Sequence, residues 1–172
     1  VVNYETNQYL GLVSEAVLLN DEGSQLTLTD VSLSHREDTV KESNHLYDAL
    51  AVIGETDLDI VPVVNEENEL VGLLTARGLL QCFVNNTSAN TQGGIIELIM
   101  NSVDYSMTEI ARIIETNGAK ILSSYVMTAD GETDKIKLIL KLNILDLSLV
   151  VAEFQHLNYT VVALHSTYEA PD

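Results

Sequence analysis

The sequence predicts a mixed α/β (α+β) fold in two parts, and three observations carry that prediction. A strand, hairpin, strand and helix pattern runs from Ile60 to Phe83 and recurs, shortened, at the start of the chain. Residues 84 to 94 carry no apolar period and are rich in Asn, Thr, Ser and Gly, as a linker is. Beyond them the pattern becomes β-α-β-β-α-β over residues 94 to 166.

In the first part, Ile60-Val61-Pro62-Val63-Val64 and Leu70-Val71-Gly72-Leu73-Leu74 are short apolar runs joined by the acidic turn Asn65 to Glu69. Thr75 precedes a helical pattern and is placed as its N-cap, accepting a backbone N–H that the first turn leaves unpaired. The opening of the chain repeats this order. Val1-Val2-Asn3 resembles Val63-Val64-Asn65, and Gly11-Leu12-Val13-Ser14 resembles Gly72-Leu73-Leu74-Thr75; Val1 to Val63 is a step of 62 residues and Gly11 to Gly72 one of 61. The two hairpin loops therefore differ by one residue, and one supersecondary unit is used twice. Between the copies, Leu26 to Leu33 alternates weakly as a connector and Val40 is extended. Ser43 and Asn44 offer caps to a helix with Leu46, Ala49, Leu50 and Ile53 on one face, which Gly54 ends.

In the second part, Ile95 to Met100 is the first strand. Ser106-Met107-Thr108-Glu109 is a capping box opening a helix that buries Met107, Ile110, Ile113 and Ile114, and Gly118 closes it where a positive φ is wanted. Ala119 to Thr128 and Asp134 to Leu142 are strands joined by a turn containing Asp130-Gly131; a second helix starts near Asp146 and buries Leu147, Val150, Val151 and Phe154; Thr160 to His165 is the last strand. The third strand sorts its residues by parity. Ile136, Leu138, Leu140 and Leu142 face the helices, and Lys135, Lys137 and Lys141 face away, where Glu97 can pair with Lys137 or Lys141.

Charge narrows the function classes. The 172 residues carry a formal charge of −18, with −12 on residues 1 to 92 and −6 on residues 93 to 172. Such a surface repels phosphate backbones and anionic lipid, so neither a nucleic-acid nor a membrane partner is expected. No apolar run approaches the roughly 20 residues that span a bilayer. The single Cys82 excludes an internal disulfide, fits a reducing cytoplasm, and sits in an apolar pattern as a buried small hydrophobe. His35, His45, His156 and His165 fall in different elements without a nucleophile or metal-ligand spacing. No catalytic residue, metal site or resident cofactor is expected, and the chain does not read as an enzyme.

The repeated hairpin and helix resemble a pair of CBS domains, whose signature is a Pro-Val-Val-Asp-like strand followed by Gly, two apolar residues, Thr or Ser, and an Asp three positions on. The resemblance implies that Val1 lies inside a longer chain, because a CBS repeat begins with a strand segment and a helix ahead of the valine strand. It also implies boundaries. Residues 1–22 are the end of a first, incomplete CBS repeat, 23–84 a connector and second repeat, and 85–93 the linker. Residues 94–166 resemble a ferredoxin-like ACT domain, most closely over Ile110 to Ile121. The order of the parts is similar to acetoin-utilisation-type CBS/ACT regulatory proteins.

What that resemblance implies is a non-catalytic module that senses an adenosine nucleotide or an amino acid; the alternative is an assembly or dimerisation module whose ligand sites have degenerated. The CBS ligand residues it carries over are Ile60, Val61 and Pro62 as a wall for the base, Ser14 and Thr75 as helix-capping hydroxyls, and Arg77 for a phosphate. Val17 and Gly78 stand where the two ribose-binding Asp residues belong. In the ACT half the ligand position falls on Asp104, Tyr105 and Ser106, with Asp104-Tyr105 replacing a Pro-Gly pair. A homodimer and a regulated enzyme or transporter are the partners the resemblance implies, and the long apolar edge from Ile121 to Val126 is where a second copy would pair.

Overall fold

The computed structural model describes residues 1–19, 27–28, 31–129 and 131–166. Leu26, Thr29 and Asp30 of the weakly alternating stretch from Leu26 to Leu33, and Asp130 of the predicted tight turn, lie outside them. The chain divides into two compact units, Val1–Phe83 and Val84–Asp172.

The first unit holds α1 (Glu15–Leu19), β1 (Val40–Lys41), α2 (Leu46–Glu55), β2 (Ile60–Val64), β3 (Leu70–Thr75) and α3 (Ala76–Asn86). β1 pairs parallel with β2, and β2 antiparallel with β3. Alternation along the strands turns Val61 into a core with Val40, Ala49 and Leu79, flanked by Leu46, Leu50, Ile53, Val63 and Leu74. The expected face of α2 is therefore the buried one. Its start differs, since His45 is the N-cap and forms a capping box with Asp48, while the Asn44 side chain accepts from the Lys41 N–H instead. Its end also differs: the helix continues through Gly54 to Glu55, and Thr56 closes it through its N–H on the Val52 carbonyl. Cys82 is exposed rather than buried, because burial on α3 is confined to Leu79.

The internal repeat is visible atom by atom. Asn3 Oδ1 accepts from the N–H groups of Glu5 and Thr6, as Asn65 Oδ1 does from Glu67 and Glu69. Each turn then passes through a left-handed residue, Asn7 at φ 56° and Asn68 at φ 63°. The first turn reaches it after four residues and the second after three, which places the extra residue of the first loop. These asparagines also join the copies reciprocally. Leu70 N–H donates to the Asn7 carbonyl at 3.0 Å and Tyr9 N–H to the Asn68 carbonyl at 2.9 Å. Asn7 Nδ2 returns a bond to the Leu70 carbonyl at 3.0 Å and Asn68 Nδ2 one to the Tyr9 carbonyl at 3.3 Å. Four hydrogen bonds related by an approximate two-fold thus hold one hairpin to the other, and Tyr9, buried beside them, donates its hydroxyl to the His35 carbonyl.

The second unit is β4 (Gly94–Asn101), α4 (Met107–Thr116), β5 (Ile121–Ala129), β6 (Glu132–Leu142), α5 (Ser148–His156) and β7 (Thr160–His165). The sheet order is β5-β6-β4-β7 with every pair antiparallel, which makes this β-α-β-β-α-β unit ferredoxin-like. Leu138, Leu140 and Leu142 are fully buried against Ile110, Ile113, Ile114, Val150 and Phe154, as the parity of β6 requires. On the other face Lys137 pairs with Glu97 at 3.5 Å. Lys141 instead donates to the carbonyls of Ser88 and Ala89, at 2.6 and 3.0 Å. Gly118 has φ 77° at the C′ position of α4. The capping box at Ser106 is half made: its Oγ accepts from the Glu109 N–H at 3.4 Å, but the Glu109 carboxylate turns to Arg112.

The stretch read as a linker begins where the two units divide and carries local structure of its own. α3 runs on to Asn86, a 3-10 turn spans Ser88–Asn90, and Gly93 lies so close to β6 that a Cβ there would clash with the Leu142 carbonyl oxygen.

Asn68 gives a clean test of the hairpin exchange. Asn68→Gly loses the side-chain bond but keeps the left-handed turn, whereas Asn68→Ala loses both, so urea titration should show alanine costing about 1 kcal/mol more than glycine. Equal losses would mean that the turn conformation contributes nothing.

Candidate functional site

At the C-terminal end of β4 the second unit opens into a cleft of about 580 Å³. Four segments far apart in sequence form it: the β4 end and the 3-10 turn Ser102–Asp104, the first turn of α4, the start of β6, and the turn from α5 into β7. Ile99, Met100 and Leu157 supply apolar surface; Asn101, Asp104, Glu109, Lys135, Asn158, Tyr159 and Thr160 supply polar groups. The antiparallel register of β4 and β6 puts Asn101 opposite Lys135, which fixes one wall. Asn158 at φ 63° ends α5 in a left-handed turn and swings Tyr159 back, where its ring meets Phe154 edge to face at 5.4 Å.

The cleft is electrostatically uneven. Lys135 is held by Glu132 at 2.6 Å. Glu109 gives one oxygen to Arg112 at 2.8 Å, and Asp104 gives one to Asn101 Nδ2 at 2.8 Å. The Tyr159 hydroxyl makes no hydrogen bond among the described residues. Burial pushes its phenol above the ordinary value; Glu109 adds to that, Arg112 pulls against it, and Asp104 pushes the same way as Glu109.

Of the three residues expected here, only Asp104 lines the cleft. The Ser106 hydroxyl is spent capping α4, and Tyr105 lies outside the lining, 37% exposed. Tyr159, Glu109, Asn101 and Lys135 were not legible as site residues. The one available signal was Leu157-Asn158-Tyr159, where an Asn after a helical pattern marks a left-handed turn that re-aims the next side chain.

In the first unit the expected ligand residues do not form one surface. Ile60 and Pro62 share a face of β2, opposite Thr75 and Leu73, while Val61 between them is turned into the core and is fully buried. The period of two forbids a common wall. The capping roles hold: Ser14 Oγ accepts from the Val17 N–H at 3.4 Å, and Thr75 Oγ1 from the Gly78 N–H at 3.0 Å. Arg77 stands exposed in the first turn of α3, with no ion pair among the described residues. Among those residues no cluster of three His, Cys, Asp or Glu could hold a metal ion, and no helix is long and apolar enough to cross a membrane.

Residues 28–85 match the CBS domain family. The second hairpin with its helices is thus similar to a CBS domain, a kind of module that in general serves regulation by sensing ligands. Inosine-5'-monophosphate dehydrogenase of Halobacterium salinarum is 33% identical over 84 residues, a match covering 49% of this chain and 17% of that enzyme. The chain thus spans about a sixth of the length of the relative it matches. Among solved structures, a CBS domain pair/ACT domain protein from Thermotoga maritima is similar with a TM-score of 0.40 and 24% identity, over 47% of this chain and 65% of that one. A protein from Bacteroides thetaiotaomicron is similar with a TM-score of 0.33 and 9% identity, over 73% of this chain and 87% of that one.

The electrostatics of the cleft can be read from Tyr159. Its folded-state pKa is raised, so the neutral phenol stabilises the fold below the ordinary phenol pKa, and that contribution is lost as pH rises through the folded value. Glu109→Gln removes a negative neighbour and frees Arg112, and both effects lower the phenol pKa. NMR titration of ring-labelled tyrosine should show Tyr159 ionising above the ordinary phenol value and moving down in the variant; an unmoved Tyr159 would place Glu109 outside its surroundings.

Proposed function

We propose that the chain is a non-catalytic regulatory module, working in the cytoplasm, that senses a small molecule and passes its occupancy to an enzyme or transporter. The observation that carries this reading is the cleft of the second unit, concave and part apolar with polar groups converging from separate elements, in a chain that also contains a CBS domain. The ferredoxin-like unit is read as an ACT domain and the whole as an acetoin-utilisation-type CBS/ACT protein. An amino acid at the cleft and an adenosine nucleotide beside Thr75 and Arg77 are the effectors this reading names. Calorimetry with adenosine nucleotides and the common amino acids tests it, and binding of none of them counts against it.

A second reading, an assembly module with degenerate ligand sites, is favoured by Val17 and Gly78. Each stands in the first turn or two of its helix, where a carboxylate would be needed for ribose hydroxyls. A missing charge-assisted hydrogen bond weakens binding by about tenfold to a hundredfold. Gly78 is the better place to restore one. A Cβ there would meet only Thr75 Oγ1, at 3.1 Å, so a slight shift of that side chain admits it. We expect AMP to bind weakly to the unmodified chain and at least tenfold more tightly to a Val17→Asp, Gly78→Asp variant, measured by calorimetry. Tight AMP binding without the change would show that the acids are not needed.

Self-association fits both readings, and β5 is the edge that suits it. Its register with β6 is regular from Ser123 to Thr128, with irregularities only at the two ends, whereas β7 is broken at mid-strand by a bulge. Tyr125, Val126 and Met127 are exposed on β5. With −18 on each chain, a dimer should tighten as salt screens the repulsion. Light scattering across salt and protein concentration should show this, and Ser124→Pro should return the chain to monomer. Association indifferent to that substitution would exclude the β5 edge.

A further inference from the structure

We infer that the cleft of the second unit takes a small organic amine, an alkylammonium group on a short apolar body, in preference to an anion or a zwitterion. This rests on the regulatory reading above and puts an amine in the cleft in place of the amino acid named there. Three acceptors from three elements face the cavity with capacity to spare. Asp104 on the 3-10 turn has engaged one oxygen with Asn101, Glu109 on α4 has engaged one with Arg112, and the Tyr159 hydroxyl has engaged nothing among the described residues. An ammonium carries three N–H donors, which matches the three. Ile99, Met100 and Leu157 offer apolar surface to its chain.

The opposite pole is missing. Lys135 is the one basic side chain lining the cavity, and Glu132 already neutralises it at 2.6 Å. A phosphate or carboxylate entering here would face Asp104 with no unpaired cation to meet it, since Glu109 is paired with Arg112 as Lys135 is with Glu132. The Tyr159 phenol is raised chiefly by burial, with Glu109 and Asp104 adding to it and Arg112 opposing them. A zwitterion gains at its ammonium and loses at its carboxylate, so its affinity should fall below that of the amine with the same side chain.

The test uses the full chain at 0.15 M salt, where diffuse attraction to its acidic surface is screened. n-Butylamine, 1,4-diaminobutane, butyrate, leucine and AMP are titrated by calorimetry and by amide chemical shifts. The amines should bind at least tenfold more tightly than butyrate or leucine, with shifts centred on Asp104, Glu109 and Tyr159. Asp104→Asn and Tyr159→Phe, which keep the side-chain shapes, should each weaken amine binding about tenfold or more. Amine binding that survives both substitutions, or that matches butyrate or leucine, overturns the inference. If leucine or AMP binds and the amines do not, the inference fails and the regulatory reading stands; if nothing binds, both fail.

Discussion

The second unit depends on the register of one strand. β6 lies between β5 and β4, and its even residues Leu138, Leu140 and Leu142 are sealed against both helices while Lys137 and Lys141 point away. A slip of one residue would drive two ammonium groups into the core and three leucines into water, so alternative registers are excluded by several kcal/mol per side chain. That register also makes the cleft. It sets Asn101 at the end of β4 opposite Lys135 at the start of β6, and the β4–β7 pairing brings Thr160 beside Ile99. The cavity is a consequence of strand ends held in place by a core elsewhere, which is why its lining can be polar without weakening the fold.

The first unit solves a different problem with less apolar material. Among the described residues its buried cluster holds Val40, Ala49, Val61 and Leu79, and α1 buries nothing. Hydrogen bonds between the two copies carry a larger share there, through the Asn7 and Asn68 exchange. Each of these bonds contributes on the order of 1 kcal/mol net, and the left-handed turns that aim them cost asparagine little. The same residue type thus forms the turn and joins the turns, a use that explains why asparagine rather than glycine stands at both positions.

Much of this was legible in the sequence because it is written in periods. The two-residue alternation of β6, the helical spacing of Ile110, Ile113 and Ile114, and the 61- to 62-residue repeat all survive folding. The misses have one cause in common: they depend on contacts without a period. His45 displaced Ser43 and Asn44 as a cap because Asp48 could answer it, and Cys82 is exposed because burial on α3 is confined to Leu79. The cleft was illegible for the same reason. Its residues come from four segments and share neither spacing nor chemistry, and Asp104 was legible only through its place just ahead of the Ser106 cap of α4.

Charge pairing then separates the two units in what they can hold. Lys41 is matched to Glu66, Arg112 to Glu109, Lys120 to Glu115, Lys135 to Glu132 and Lys137 to Glu97, and Lys141 is taken up by two carbonyls. Each exposed pair adds little to stability, but together they leave the second unit without an unpaired cation among the described residues. Arg36 and Arg77 are the basic side chains outside such pairs, and both belong to the first unit. Among the described residues the positive charge left outside ion pairs therefore lies in the first unit, with Arg77 in the first turn of α3, while the cleft of the second is lined by side chains whose one base is already paired.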